Sequence, residues 1–134
     1  MKLFISYAKA DEKYADVLRA ALSKHAIQVW NPDLQIAPGE NWALKYGKAL
    51  ENSDAVVVLL SPDAAKSDAV AHEIQYALLS PQFRDRLIPV LVRPTDDVPW
   101  ILRTMKMIRA TKDADETAQK ILHALRRAPA TAGR

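Results

Sequence analysis

The sequence contains no cysteine among its 134 residues. Disulfide bonds, thiolate nucleophiles and cysteine-ligated metals are therefore excluded. The three histidines, His25, His72 and His123, lie far apart and do not follow the spacing of a zinc or non-haem iron site. We therefore expect the protein to hold no metal and to need no bound cofactor.

Glycine is also scarce, since only Gly39, Gly47 and Gly133 occur. Phosphate-binding loops of the GxGxxG and GxxxxGK[ST] types cannot be built from these positions, so neither a Rossmann fingerprint nor a P-loop is present. No apolar run approaches the roughly 18 residues that a membrane span needs. The amino terminus, MKLFISY, also lacks the pattern of a secretory signal. These observations predict a cytoplasmic protein without a membrane partner.

The formal net charge is +3, and the basic residues are scattered along the chain. They are not interleaved with aromatic residues as in single-strand binders, so we do not expect nucleic acid as a partner. Hydrophobic residues make up 49% of the chain, which is ordinary for a globular protein of this length. A single domain is predicted over residues 1–128, followed by a linker-like or disordered tail over residues 129–134.

Strands and helices alternate along this domain. Short apolar runs predict strands at KLFIS (2–6), IQVW (27–30), DAVVVLLS (54–61), RLIPVLV (86–92) and MKMIRA (105–110). Amphipathic periodicity predicts helices over 11–26, about 41–52, about 65–79 and 113–128, with a short helical turn at 98–103. Such alternation favours a parallel sheet that is covered by helices on both faces. The fold class is therefore predicted as α/β, a flavodoxin-like three-layer domain whose five-stranded parallel sheet has the order 2-1-3-4-5.

Two local features carry finer predictions. Asp11 is the expected cap of the first helix, whose buried face is expected to hold Tyr14, Val17, Leu18, Ala21 and Leu22. Pro89 interrupts the fourth strand and predicts either a bulge or a position near one edge of the sheet.

A doubly wound sheet of this order binds ligands beyond the carboxyl ends of its strands, between strands 1 and 3. The segments that reach this crevice are residues 6–9, residues 61–63 and the start of the helix in SDAVAHEIQYALL (67–79). At 100° per residue, Val70, Ile74, Ala77 and Leu78 form the expected buried stripe of that helix, and Glu73 lies about 60° from Val70 on the other flank. Glu73 is thus predicted to border the core, where partial desolvation raises the pKa of a carboxyl group.

Several stretches in order resemble a Toll/interleukin-1 receptor (TIR) domain of bacterial type. They are KLFISYAKADE, VWNPDLQIAPGENW, NSDAVVVLLSPDAAKSDAVAHEI and LIPVLVRP. The resemblance covers about residues 1–128. Some TIR domains cleave the nicotinamide–ribose bond of NAD+ to give nicotinamide and ADP-ribose or a cyclic variant, through a glutamate that corresponds to Glu73. Others act as adaptors through homotypic contacts.

The resemblance therefore implies NAD+ as substrate and other TIR domains as partners, in a homo-oligomer or filament that serves signalling or antiviral defence. A non-enzymatic adaptor remains the alternative. A phosphoacceptor receiver domain shares the fold, but strand 1 here ends in Ser-Tyr without the acidic residues that would hold Mg²⁺.

Further candidate substrate-binding residues each have a structural alternative. Ser6 and Tyr7 end strand 1, where a ribose or phosphate contact and a purely structural role are both open. Lys9 is a candidate phosphate contact or a solvated lysine, Asp33 a ligand contact or a turn residue, Trp42 a stacking or core residue, and Ser61 a ligand contact or a cap. The sequence departs from the cleaving members at Ala69, where they carry a tryptophan one helical turn before the glutamate.

Overall fold

A five-stranded parallel sheet forms the centre of the computed structural model, which describes residues 1–31 and 37–127 except for the side chains of Trp42 and Arg127. The strand order is 2-1-3-4-5, and every pairing is parallel, as the sequence predicts. The strands are Lys2–Ser6 (β1), Gln28–Val29 (β2), Ala55–Leu60 (β3), Leu87–Leu91 (β4) and Ile108–Arg109 (β5).

Helices follow the strands in the predicted alternation. They are Glu12–Ser23 (α1), Trp42–Glu51 (α2), Pro62–Ala65 (α3), Asp68–Leu79 (α4), Trp100–Arg103 (α5) and Ala114–Arg127 (α6). The helix predicted over 65–79 is replaced by α3 and α4, because Ser67 has extended backbone angles (φ −88°, ψ 119°) that interrupt it. The Ser67 side chain then caps α4 by accepting a hydrogen bond from the Val70 amide at 3.2 Å.

The central strand β3 is buried along its whole length, as its continuous Val/Leu run predicts. Successive side chains of a strand point to opposite faces, so β3 contributes to a hydrophobic cluster on each side. One cluster packs against α1 and α6 and contains Ala55, Val57 and Leu59. The other packs against α2, α3 and α4 and contains Val56, Val58 and Leu60. These two cores give the three layers of the fold.

Pro89 lies in β4 without a bulge, because the β3–β4 ladder runs continuously from Val56–Leu87 to Leu60–Leu91. The Val92 amide donates to the Leu60 carbonyl, so by alternation the nitrogen of Pro89 points toward β5. The ladder to β5 begins only at Val90, and the missing N–H of Pro89 therefore interrupts no pairing. Of the two predicted alternatives, the position near an edge is the one observed.

Two predictions for the first helix were wrong. Asp11 precedes α1, but its side chain makes no capping hydrogen bond, because its carboxylate is bound to Ser61 and Arg93 instead. Val17 is 51% exposed, since the helix packs along the line of Ala15, Leu18 and its other buried residues, which turns Val17 toward solvent.

Candidate active site

Ser6 and Glu73 meet at the carboxyl end of the sheet, where the winding reverses between β1 and β3. Ser6 is the last residue of β1, and Glu73 lies in the second turn of α4, which packs against both β1 and β3. The Ser6 hydroxyl donates a hydrogen bond of 2.5 Å to Oε1 of Glu73. The fold thus joins the strand-1 exit and the helical glutamate at the position that the strand order predicts for a ligand site.

Glu73 is more deeply buried than the helical pattern predicts. It retains only 5% of its accessible surface, and the buried face of α4 consists of Val70, Glu73, Ile74 and Ala77. Leu78, which the pattern placed on that face, is 39% exposed. Helix α4 packs across both β1 and β3, so the side of the helix that carries Glu73 faces the sheet.

A second hydroxyl reaches the same carboxylate from α2. Tyr46 and Glu73 share a side-chain hydrogen bond, in which the phenol is the donor. The Tyr46 ring packs edge-on against Phe4 and Trp30, at centroid distances of 5.2 and 5.1 Å. Phe4 and Trp30 are themselves stacked at 5.9 Å. The candidate site therefore consists of Glu73, Ser6 and Tyr46 beside an aromatic cluster.

Burial raises the pKa of the Glu73 carboxyl group, as the sequence predicts in direction. The hydrogen bonds from Ser6 and Tyr46, and the nearby His72, act in the opposite sense and favour the ionised carboxylate. Burial, with the neighbouring carboxylate, also raises the pKa of Tyr46. Tyr46 accordingly stays protonated and serves as a hydrogen-bond donor.

Tyr46 is not among the site residues that the sequence predicts. A helical periodicity identifies which residues face inward, but it does not identify their neighbours from another helix. Only the topology could have indicated this neighbour, because α2 and α4 cover the same face of the sheet.

In the described part of the chain, no hydrogen bond or ion pair joins Tyr7 or Lys9 to the Glu73 carboxylate. Tyr7 follows Ser6 and packs on the α1 and α6 side of the sheet, where it is hydrogen-bonded to Arg19. Burial raises the pKa of Tyr7, while the hydrogen bond from Arg19 acts against that rise. Lys9 is exposed in a short 3-10 turn, Lys9–Asp11.

Ser61 belongs to a separate polar cluster at the same edge of the sheet. Its hydroxyl accepts a hydrogen bond from the Ala64 amide at 3.1 Å and donates one to Asp11 at 2.5 Å. Arg93, just after β4, also binds Asp11, through Nε at 3.0 Å, and forms an ion pair with Asp63. Ser61 thus caps α3, as one of the two sequence alternatives has it, and connects three segments at the strand ends.

Asp33 and the Trp42 side chain lie outside the described residues, so their predicted roles stay predictions. Ala69, one turn before Glu73, is exposed at the start of α4. Among the described residues, no three His, Asp or Glu side chains form a group that could hold a metal ion. Within that same part of the chain, no helix has the length and apolar character of a membrane span.

A groove of about 1330 Å³ lies away from this site. It is bounded by the carboxyl-terminal end of α4, by β4 and β5, and by α6. None of Glu73, Ser6 and Tyr46 lines it. The enclosed carboxylate and the open groove are therefore separate features of the molecule.

The doubly wound sheet with a buried carboxylate at its switch point defines an α/β domain with a candidate ligand site. A family model described as the TIR domain matches residues 3–125. The chain belongs to the TIR domain family, as the sequence motifs indicate.

A protein of Methanobrevibacter olleyae named "Probable 2' cyclic ADP-D-ribose synthase TcpO" is 24% identical over 123 residues, which are 90% of this chain and 36% of the relative. This chain therefore spans about a third of that relative's length.

The TIR domain of the Toll-related receptor TRR-2 from Hydra magnipapillata is 25% identical, with a TM-score of 0.73 over 93% of this chain and 94% of that one. A metazoan TIR-STING receptor from C. gigas, solved with 2',3'-cGAMP, is 24% identical, with a TM-score of 0.77 over 96% of this chain and 39% of that one. Both structures share the α/β fold described above.

Proposed function

We propose that this domain cleaves the bond between nicotinamide and ribose in NAD+, with Glu73 as the catalytic carboxylate. The observation that carries the proposal is the burial of Glu73 at the switch point of the sheet, where Ser6 holds its carboxylate at 2.5 Å. The name of the Methanobrevibacter olleyae relative, a probable 2' cyclic ADP-D-ribose synthase, supports a substrate of this class. The products would be nicotinamide and ADP-ribose or a cyclic ADP-ribose variant.

The reaction requires from the protein mainly one correctly positioned carboxylate. When the C1'–N bond breaks, its electron pair returns to the pyridinium ring, so nicotinamide leaves as a neutral molecule without a proton from an acid. The ribose is left with oxocarbenium character, and its positive charge is stabilised by the Glu73 carboxylate. Water, or a hydroxyl group of the same molecule, then bonds to C1' and loses its proton.

The same carboxylate can orient the ribose. A carboxylate has about four acceptor sites, and Ser6 and Tyr46 donate to it, so further sites remain for ribose hydroxyls through charge-assisted hydrogen bonds. Because Glu73 is only 5% exposed, the proposal requires that substrate binding expose one carboxylate oxygen.

The family resemblance further leads us to propose that the active form is an assembly of several copies, acting in cytoplasmic signalling or antiviral defence. In such an assembly, specific activity rises with protein concentration.

The test is nicotinamide release from NAD+ by the wild-type protein and by Glu73→Gln, over a range of protein concentrations and with a crowding agent. Glutamine keeps the size of the side chain and removes its charge, so we expect a loss of about 100-fold or more. Glu51→Gln, an exposed glutamate at the end of α2, is the matched control and should keep wild-type activity. Undiminished release by Glu73→Gln would remove that residue from the mechanism.

A non-enzymatic TIR interaction module is the second candidate. The observations that favour it are Ala69 in place of the tryptophan of cleaving members and the near-complete burial of Glu73. In that case the protein would self-associate or bind other TIR domains, as seen by light scattering, and NAD+ would remain intact at every concentration.

A further inference from the structure

We propose that Ser6 is a positioning residue, whose hydroxyl group fixes Oε1 of Glu73 against β1 and leaves Oε2 for the substrate. The consequence for catalysis rests on the function proposed above, whereas the positioning itself does not. The Ser6 hydroxyl donates to Oε1 at 2.5 Å, across 67 positions of the sequence. A strand and a helix therefore set the orientation of one carboxylate together.

Ser6 is held by the centre of the sheet. It ends β1, which lies between β2 and β3, and it is paired with Val58 in the β1–β3 ladder. Side chains alternate along a strand, so Ser6 points to the same face as Phe4, which belongs to the cluster that packs against α4. The hydroxyl group thus starts from a fixed backbone and faces the helix that carries Glu73.

The burial of Ser6 distinguishes positioning from substrate binding. Ser6 is 0% exposed, while Glu73 retains 5% of its surface. A hydroxyl group without exposed surface offers no face to a ribose or a phosphate, which are the substrate contacts that the sequence leaves open for Ser6. A buried hydroxyl group without a partner would cost free energy, and the Glu73 carboxylate is the partner found here. The carboxylate therefore explains why a polar residue follows the buried apolar residues of β1.

The hydrogen bond also acts on the charge state of the carboxylate. Burial raises the pKa of Glu73, and the hydrogen bond from Ser6 is the strongest of the influences that oppose this rise. The other groups that lower the pKa are Tyr46 from α2 and His72 from α4 itself. Removing the Ser6 hydroxyl should therefore raise the pKa of Glu73 further.

The experiment compares the wild type with Ser6→Ala, which keeps the backbone and the Cβ atom. The first readout is the pKa of Glu73, from an NMR titration of the glutamate carboxyl carbons assigned with Glu73→Gln. Ser53→Ala is the matched control, because Ser53 is also buried, at 6% exposed, and its hydroxyl group donates to the Ala49 carbonyl at 2.7 Å. We expect a higher Glu73 pKa in Ser6→Ala and no change in Ser53→Ala.

Ser6→Cys is a second variant at the same position. It keeps a side-chain group at the γ position but offers only a weak donor, so we expect a Glu73 pKa between those of the wild type and Ser6→Ala. It provides the same measurement if the alanine variant does not fold.

The second readout is NAD+ cleavage at several pH values. We expect Ser6→Ala to lower kcat by about tenfold or more, to change KM little, and to move the acid limb of the pH profile to higher pH. The loss of a substrate contact would instead raise KM and leave the pH profile in place. Ser53→Ala should keep the wild-type kcat, KM and pH profile, even if it loses stability.

The outcomes separate the two proposals. An unchanged Glu73 pKa in the Ser6 variants overturns the positioning role, even if NAD+ is cleaved. A raised pKa, with no cleavage by the wild type, supports the positioning role and contradicts the proposed function. A raised KM with unchanged kcat in Ser6→Ala would make Ser6 a substrate contact and would also overturn the positioning role.

Discussion

Glu73 is a carboxyl group buried on the inner face of a helix, with hydroxyl donors from two other elements. Such a residue is unfavourable for folding, since burial disfavours its charged form. Proteins keep residues of this kind where a function requires them. The chain has no cysteine and, in its described part, no cluster of possible metal ligands. A single carboxylate of this kind fits the cleavage of a bond whose leaving group is already activated.

The burial of Glu73 predicts a pH-dependent cost in stability. Because its pKa is higher in the folded than in the unfolded chain, the folded state binds the proton more tightly, and stability falls as pH rises from the unfolded pKa through the folded one. Glu73→Gln has no such charge, so we expect it to be more stable than the wild type at pH 7. The gain should shrink as the pH falls toward 4.

Thermal unfolding of both proteins between pH 4 and pH 7 measures this difference, with Glu51→Gln as the control for a loss of surface charge. A stability difference that does not vary with pH would show that Glu73 has an unshifted pKa.

Asp11 gives a second prediction for a single residue, outside the proposed active site. It is 5% exposed and binds both Ser61 and Arg93. Asp11→Ala would leave a buried hydroxyl and a guanidinium without this partner, so we expect a loss of about 2–4 kcal/mol in the free energy of unfolding.

Asp63→Ala is the matched comparison, because it removes the exposed partner of the same arginine and should cost less than about 1 kcal/mol. Urea denaturation of the two variants tests this. Equal losses would show that Asp11 contributes no more than a surface ion pair.

At the scale of the elements, the end of α1 carries a backbone strain that can be relieved. Ala26 has φ +61°, the left-handed region that favours glycine. The Ile27 amide donates to the Leu22 carbonyl and the Ala26 amide to the Ser23 carbonyl, which is the pattern of a Schellman helix end. Ala26 thus occupies the position where glycine is usual.

We therefore expect Ala26→Gly to stabilise the protein by about 1 kcal/mol, since the relief of strain exceeds the extra entropy of the unfolded chain. Ala20→Gly is the control, at an exposed position within α1, and should destabilise by about 1 kcal/mol. Both values follow from urea denaturation midpoints. Destabilisation by Ala26→Gly would contradict the strain.

The elements also show how far the sequence can predict this structure. The strand order and the buried β3 follow from the alternation of apolar runs with amphipathic helices, which is a local signal. The depth of Glu73 does not, because the angle of α4 depends on its packing over both β1 and β3. The contact between Tyr46 and Glu73 is likewise a relation between two helices, and no periodicity within either helix contains it.

At the scale of the whole molecule, the polar groups at the carboxyl edge of the sheet include two clusters among the described residues. One holds Glu73 with Ser6 and Tyr46, and the other ties Asp11 to Ser61 and Arg93. The ends of β1 and β3 each contribute a serine to one of these clusters, so the sheet itself fixes the distance between them. The candidate site around Glu73 and the cluster around Asp11 therefore both depend on residues at the strand ends.

The most direct test of the account is an NMR time course of nicotinamide release from NAD+ at several protein concentrations, for the wild type and Glu73→Gln. We expect release by the wild type, with a specific activity that rises with concentration, and a loss of about 100-fold or more in Glu73→Gln. Equal release by the two proteins, or intact NAD+ with the wild type at every concentration, would contradict it.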